Sequence, residues 1–255
     1  KIIYFVHGFR FTSKTNPIKK FFFKSIEQIL SIKTSIFITI NNEDYNFVKF
    51  NLKKNSQCYK INGVGLNLSR THLKKKLRNK NCIKKILVIA AYKKEKGYLE
   101  ILKVAEMLKN KKIKIECFGY GSYNKFNLIK IDKKLSNISF NNFDINLDSK
   151  IKNYDILLHL SLREGLPVSV MQSLSSGLPV ICYNIRGNND LIIDRFNGYF
   201  VNSYKDVPNK IYYLNLEKQF LNRMRMNAFK TINKNFLKKR INYIIYNIIK
   251  NYSKQ

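Results

Sequence analysis

The sequence has no tryptophan and is poor in arginine, acidic residues and proline. Among its 255 residues, 48 are basic and 16 acidic, and only nine of the basic residues are arginine, leaving 39 lysines. Sites that read bases or hold phosphates in a forked geometry rely on arginine. The scarcity of arginine therefore argues against nucleic acid as the purpose of the net charge of +32. Scattered lysines act as point charges and suit an anionic membrane surface.

Cysteine and long apolar runs are also scarce. The four cysteines are widely spaced and form no paired motif: Cys58, Cys82, Cys117 and Cys182. This spacing indicates reduced thiols in a cytoplasmic setting and no structural metal. No apolar run reaches the roughly 18 residues of a membrane-spanning helix, and no signal peptide is visible. The chain starts without Met, inside the strand-like run of residues 2–6, so we expect a fragment whose earlier strands are missing.

Apolar runs alternate with helical patterns, and this order predicts an α/β fold with parallel sheets covered on both faces. We predict strands at residues 2–6, 35–40, 59–61, 86–90, 113–118, 138–140, 156–160, 180–183 and 198–201. We predict helices at residues 17–30, 43–49, 97–108, 148–153, 188–192, 205–213, 217–235 and 237–252.

The predicted organisation has two lobes, the first of them incomplete. Residues 1–66 form the remnant of the first lobe, a lysine-rich linker covers 67–82, and 83–235 form the second lobe. A C-terminal helix at 236–255 packs back on the first lobe in this prediction. The helix at 17–30 is basic and amphipathic, which fits either a membrane surface or an ordinary lobe helix.

Ligands of open parallel sheets bind beyond the carboxyl ends of the strands, and residues 161–172 follow such an end. Ser161-Leu162-Arg163-Glu164 matches a capping box, which would give Glu164 a purely structural role. A helix from Leu162 would, however, contain Pro167 in its interior, and proline favours the first helical position. We therefore predict a helix from Pro167, with Glu164 in a loop and the amides of Gly165 and Leu166 near the helix N-terminus.

Three motifs around this loop are the most specific in the chain: Tyr154-Asp155-Ile156-Leu157-Leu158, Arg163-Glu164-Gly165-Leu166-Pro167 and Ser176-Gly177-Leu178-Pro179-Val180. Together they resemble the donor site of family 4 retaining glycosyltransferases, which have the GT-B fold of two Rossmann-like lobes. His7-Gly8-Phe9 and Gly63-Val64-Gly65 resemble the branch that builds capsular and exopolysaccharide repeat units.

The resemblance implies a role for each candidate residue. Glu164 would contact hydroxyls of the donor sugar, and Lys96 would neutralise the diphosphate. His7 would lie near the transferred sugar, although an isolated histidine is as readily structural. Gln172 stands where the family carries a second glutamate that binds the ribose hydroxyls. Because glutamine loses the charge-assisted hydrogen bond, we expect weaker donor binding and expect Gln172→Glu to tighten it.

The remaining donor contacts are implied at backbone positions. Gly119 and Gly121 flank a turn that lets a nucleotide approach the backbone, or simply form a turn. Gly165 and Leu166 would offer amides to the diphosphate. Ala91 stands where the family often has Arg or Glu, which puts part of the phosphate clamp in doubt. The chain has no Asp-x-Asp motif to hold a metal, and we expect neither metal nor cofactor.

The predicted function is retaining, metal-independent transfer of a sugar from a nucleotide-diphosphate donor, a UDP-sugar, to a lipid-linked saccharide in surface polysaccharide synthesis. The predicted location is the cytoplasm, at the inner face of the plasma membrane, with an anionic membrane surface as a partner and no nucleic acid. One alternative is a truncated sugar-nucleotide-binding remnant with little or no activity, supported by Gln172 and Ala91. A basic nucleic-acid-binding module is the other alternative.

Overall fold

The computed structural model of the chain describes residues 2–12, 15–52, 56–67, 82–121, 135–232 and 234–253. Nearly all of the predicted linker at 67–82 lies outside these ranges. The chain divides into two units. The first comprises Lys1–Leu68, Glu164–Val168 and Lys234–Gln255, and the second comprises Ser69–Arg163 and Ser169–Asn233.

The first unit contains a parallel sheet of three strands within the described residues, in the order β1-β2-β3. Its strands are β1 (Ile2–Val6), β2 (Thr34–Thr39) and β3 (Gln57–Lys60). Helices α1 (Pro17–Ser31) and α2 (Asn42–Asn51) connect them. Parallel neighbours require such crossovers, so the alternation seen in the sequence follows directly.

Local signals in the sequence account for where these two helices begin. Pro17 occupies the first turn of α1, where its fixed φ and missing N–H cost nothing, and the Asn16 side chain accepts a hydrogen bond from the Ile18 amide at 3.0 Å. Asn41 caps α2 in the same way by accepting from the Asp44 amide at 2.8 Å. Aromatic side chains fill the core beside α2, with Phe9 packing edge-on against Phe47 at a centroid distance of 5.1 Å.

The second unit contains six parallel strands within the described residues: β4 (Lys85–Ile89), β5 (Lys114–Phe118), β6 (Ile138–Asn141), β7 (Ile156–His159), β8 (Val180–Tyr183) and β9 (Gly198–Val201). Their order in the sheet is β6-β5-β4-β7-β8-β9. The chain thus runs outward in one direction from β4 and then in the other from β7. The topological switch point lies between β4 and β7, where ligands of doubly wound sheets bind.

Among the described residues, the second unit contains the helices α3 (Tyr98–Met107), α4 (Leu147–Lys150), α5 (Val168–Ser175, except its first residue), α6 (Asn188–Leu191), α7 (Val207–Leu216) and α8 (Lys218–Thr231). The last helix of the chain, α9 (Lys238–Ser253), belongs to the first unit. Apolar residues of α3, including Ile101 and Val104, are fully buried against strand residues such as Ile86 and Ile115. Within the described parts of the chain, no helix is both long and apolar enough to cross a bilayer.

The predicted α/β class with parallel sheets is confirmed, and the strand positions agree to within two residues. Three helix boundaries differ more. The helix predicted at 148–153 ends at Lys150 and is followed by a 3₁₀ turn, Ile151–Asn153. The helix predicted at 217–235 ends at Thr231. The helix predicted at 205–213 is preceded by a 3₁₀ turn, Tyr204–Asp206, and the helix itself runs to Leu216. Ser203 and Asp206 form a reciprocal capping box that fixes this turn.

Asp155 is a structural residue of the second unit. Its carboxylate accepts the amide hydrogens of Lys84 and Lys85, each at 2.8 Å, where the chain enters β4. Arg225 of α8 is buried and donates to the Asp155 carbonyl at 3.2 Å. Burial lowers the pKa of Arg225, and the Asp155 carboxylate opposes that shift. Asp155 therefore ties β4, β7 and α8 together.

Candidate functional site

The loop after β4 is held directly against the residues that leave β7, at the switch point. The 3₁₀ turn Lys94–Lys96 follows β4, and the Leu162 amide donates to the Glu95 carbonyl at 2.9 Å. Gly97 ends the turn in a left-handed conformation, φ +75°, and a Cβ there would lie 2.1 Å from the Leu160 carbonyl oxygen. Only glycine fits this approach, so the position of half-buried Lys96 is set by the packing of Gly97 against Leu160.

Two tyrosine hydroxyls form hydrogen bonds to the backbone at the carboxyl ends of β4 and β6. The Tyr98 hydroxyl donates to the Ala90 carbonyl at 2.7 Å, and the Tyr92 hydroxyl donates to the Asn141 carbonyl at 2.6 Å. Burial raises the pKa of Tyr98, so its hydroxyl stays protonated as a donor. The sequence reasoning missed these supports. The signal for them is that a buried tyrosine needs a partner for its hydroxyl.

Gly119 and Gly121 lie in the turn after β5. A Cβ on Gly119 would lie 2.0 Å from the Ala90 carbonyl oxygen, so close packing between two loops of the protein already explains this glycine. Gly121 has φ +105°, and the nearest atoms to a Cβ there belong to Tyr92 at 3.8 Å or more. Among the described residues, the positive φ and not a close contact is therefore what favours glycine at position 121.

Glu164 lies in the loop after β7. The helix that follows, α5, begins at Val168, one residue later than predicted, so Ser161 is too far from it to act as its cap. Glu164 is half-buried, and Leu166 is buried. The capping-box interpretation is thus excluded, because no helix begins at Leu162.

Residues Glu164–Val168 belong to the first unit together with His7. A Cβ on Gly165 would lie 2.1 Å from the His7 carbonyl oxygen, so the backbones of these two candidate residues touch within that unit. The His7 ring is exposed and stacks on Phe5 at a centroid distance of 4.6 Å. The structure therefore brings together His7 and Gly165, and separately the loops that carry Lys96, Gly119 and Gly121.

Gln172 lies on α5 in the second unit, and its side-chain amide donates to the carboxylate of Asp148 on α4 at 2.7 Å. An ionised carboxylate only accepts hydrogen bonds, so the NH₂ of the amide faces Asp148 and the amide oxygen faces away. The carboxylate of Asp148, 24 positions earlier in the chain, therefore lies beside position 172, where the family carries a glutamate. Sequence reasoning had no signal for this pair.

Buried polar residues follow β7 and β8. Arg186 is only 3% exposed, and buried Asn188 donates through its side chain to the Tyr183 carbonyl at 2.9 Å. Ser161 is buried as well, and its hydroxyl has no hydrogen-bond partner among the described residues. Buried polar side chains therefore lie just beyond the carboxyl ends of two adjacent strands of the second unit.

The described residues contain no group of three or more His, Cys, Asp or Glu side chains that could hold a metal ion. All four cysteines are free thiols, and Cys117 and Cys182 are buried. Burial raises the pKa of the Cys58 thiol to about 11, which keeps it protonated and unreactive.

A family model described as "Glycosyl transferases group 1" matches residues 69–231, well over half of the chain. Two curated relatives align over most of the chain. EpsD of Bacillus subtilis (strain 168), which is named as a glycosyltransferase, is 28% identical over 79% of this chain and 56% of its own. A UDP-Gal:α-D-GlcNAc-diphosphoundecaprenol α-1,3-galactosyltransferase of Escherichia coli is 26% identical over 78% of this chain and 56% of its own.

Among solved structures, S. aureus TarM in complex with UDP superposes with a TM-score of 0.77 at 17% identity, covering 96% of this chain and 50% of TarM. This likeness confirms the predicted α/β fold of GT-B type. The chain spans about half the length of the curated relatives it matches.

Proposed function

Because the chain belongs to the glycosyl transferases group 1 family, we propose that it transfers a sugar from a nucleotide-diphosphate donor, a UDP-sugar, to a lipid-linked saccharide. The observation that carries the proposal is that the loops with Lys96 and with Gly119–Gly121 leave two adjacent parallel strands, β4 and β5, at the same edge of the sheet, within the matched residues. The donor named for the Escherichia coli relative is UDP-Gal and its acceptor is a diphosphoundecaprenol-linked sugar. Both names support the proposed substrate classes.

In the proposed reaction, the bond between the sugar and the diphosphate breaks through an oxocarbenium-like transition state, and the configuration is retained. Negative charge then develops on the departing diphosphate. Lys96 and the amides of Gly165 and Leu166 stabilise that charge, so the proposed chemistry requires no metal. Glu164 accepts hydrogen bonds from donor-sugar hydroxyls, and His7 lies near the transferred sugar.

The acceptor determines the proposed setting. We place the reaction in the synthesis of a surface polysaccharide of the capsular or exopolysaccharide type, at the inner face of the plasma membrane. A saccharide carried on a lipid remains at the bilayer, so the enzyme has to work beside it. The excess of lysine supports this setting because anionic lipids attract scattered positive charge.

A donor screen tests the proposal. We expect UDP or a UDP-sugar to raise the melting temperature of the chain, because a ligand that binds only the folded state stabilises it. GDP- and ADP-sugars serve as matched controls for nucleobase preference. Thermal shift followed by calorimetry measures the effect. If no sugar nucleotide stabilises the chain, the proposed donor site does not exist.

A second candidate function is binding of the sugar nucleotide with little turnover, and Gln172 favours it, because the expected carboxylate is replaced at this position. Measurable UDP affinity without release of UDP from any UDP-sugar, with lipid-linked saccharides supplied, would support this alternative.

The Gln172–Asp148 contact changes the expected outcome of Gln172→Glu. Alone, this substitution would set two carboxylates at hydrogen-bond distance, and their repulsion opposes any gain in UDP binding. Gln172→Glu combined with Asp148→Asn reverses the polarity of the hydrogen bond and leaves one carboxylate, now at position 172. We expect the double variant to bind UDP about tenfold tighter than the parent and the single variant to show no gain.

Calorimetry with UDP on the parent, both single variants and the double variant measures this coupling. Asp148→Asn alone is the matched control, because an asparagine oxygen still accepts from Gln172. Equal tightening by Gln172→Glu with and without Asp148→Asn would show that Asp148 has no influence. Unchanged affinity in all four proteins would remove position 172 from the nucleotide site.

A further inference from the structure

Helix α1 turns its apolar face to solvent. Its large apolar side chains are among the most exposed of the chain: Ile18 81%, Phe21 75%, Phe22 61% and Ile29 67%. Positions 18, 22 and 29 lie within about 40° of one another around a helix of 3.6 residues per turn, so they form one stripe. A helix of a globular protein ordinarily buries such a stripe against the core.

The opposite face of α1 is mostly polar and packs on β1 and α2 of the same unit. Half-buried Glu27 accepts a hydrogen bond from the Tyr4 hydroxyl of β1 at 3.5 Å. Ser31 is buried, and the Lys24 ammonium lies 5.4 Å from the centre of the Phe47 ring. Burial raises the pKa of Glu27, in keeping with a carboxyl turned away from water. The inward face thus combines these polar contacts with one aromatic contact, that of half-buried Phe23 with the core, and the apolar stripe is left outside.

The charges around the stripe have one sign. Between residues 15 and 33 the only acidic residue is Glu27, which faces inward, whereas lysines occupy positions 19, 20, 24 and 33. Lys19 and Lys33 are exposed. Exposed phenylalanine and isoleucine beside exposed lysine fit a surface that offers both an apolar layer and negative charge, as anionic lipid does.

We propose that α1 is the membrane-docking surface of this protein and lies in the plane of an anionic bilayer, with Ile18, Phe21, Phe22 and Ile29 in the acyl boundary and Lys19 and Lys33 at the lipid phosphates. This docking surface deepens the proposed function and rests on it for its setting, because a lipid-linked acceptor is reached from the bilayer surface. We assign lipid as the occupant because the charged side chains beside the apolar stripe are all lysines, which complement the negative charge of lipid phosphates.

The test measures binding of the chain to phosphatidylcholine vesicles with and without phosphatidylglycerol. We expect binding to the anionic vesicles, weakened by salt, and little binding to phosphatidylcholine alone. Ile18→Ser with Phe22→Ser should lower the partition coefficient about tenfold or more, since two apolar side chains no longer enter the bilayer. Lys19→Gln with Lys33→Gln should weaken binding to anionic vesicles and reduce its dependence on salt.

A matched control exists in the second unit, where Ile145 is 82% exposed and Phe143 65%. Ile145→Ser with Phe143→Ser removes the same two side-chain types at nearly the same exposure, and vesicle binding should be unchanged. Equal losses in the α1 and control variants, or full binding by the α1 variant, would overturn the proposal. So would a dimer in sedimentation velocity that dissociates on Ile18→Ser with Phe22→Ser, because the stripe would then join two copies.

UDP binding, measured on the same proteins, separates this inference from the proposed function. The α1 variant should keep the UDP affinity and melting temperature of the parent. If the unsubstituted chain does not bind UDP but its vesicle binding depends on α1, the donor proposal is refuted and the docking surface is supported. Normal UDP binding without vesicle binding would refute the docking surface alone.

Discussion

Replacing Glu164 by glutamine should lower turnover of the preferred UDP-sugar by about 100-fold or more and leave the affinity for UDP within about twofold. The carboxylate is proposed to accept hydrogen bonds from hydroxyls of the sugar as positive charge develops on the ring. Glutamine keeps the shape and one acceptor but loses the negative charge, so the loss concentrates in the transition state. UDP itself carries no sugar, and its affinity is therefore a built-in reference.

Release of UDP from the donor measures the rate, and calorimetry with UDP measures the affinity. Glu106→Gln is the matched control, since Glu106 is exposed on α3 and has no part in the proposed chemistry. The two measurements together decide the role of Glu164. Unchanged turnover would remove Glu164 from the reaction, and a parallel loss of UDP affinity would assign it to the nucleotide instead of the sugar.

The sheets were predictable because a strand of a parallel sheet that is covered on both faces is an uninterrupted apolar run. Ile86–Val88 and Ile156–Leu158 are fully buried in adjacent strands, and their sequences show no polar alternation. The loop position of Glu164 was also predictable, because Pro167 restricts where the next helix can begin. Both inferences use properties of a few consecutive residues, and this is why they hold without knowledge of the tertiary structure.

Contacts between segments that are far apart in the chain could not be predicted from the sequence. The Gln172–Asp148 hydrogen bond joins two helices, and the Tyr92–Asn141 bond joins the ends of β4 and β6, so neither has a local pattern. The orientation of α1 was hidden for another reason. Its periodicity predicts an apolar face, but the side that meets the sheet depends on which partners, such as Tyr4 for Glu27, the fold supplies.

Gly97→Ala is expected to lower the melting temperature by about 10 °C, the largest stability effect we predict for a single methyl group. Two costs add. A left-handed φ of +75° strains any residue with a Cβ, and that Cβ would stand 2.1 Å from the Leu160 carbonyl oxygen, a backbone atom that cannot turn aside. Together the strain and the displacement amount to about 3–5 kcal/mol.

Gly121→Ala is the matched control because it carries the strain without the clash. Its φ is +105°, and the nearest atom of the described residues to the added Cβ is 3.8 Å away. The difference between the two melting temperatures, measured by calorimetry, therefore isolates the contact between Gly97 and Leu160. Equal shifts in the two variants would mean that the loop after β4 can move away from β7.

The Gly97 contact also bears on chemistry, because Gly97 follows Lys96 directly. Relief of the clash requires the loop after β4 to shift from Leu160, and the Lys96 ammonium shifts with it. Folded Gly97→Ala protein should therefore bind UDP more weakly than the parent at a temperature where both are native. If its UDP affinity is unchanged, the switch point does not hold the diphosphate through Lys96, and the charge on the leaving group has to be met by other cations of this chain.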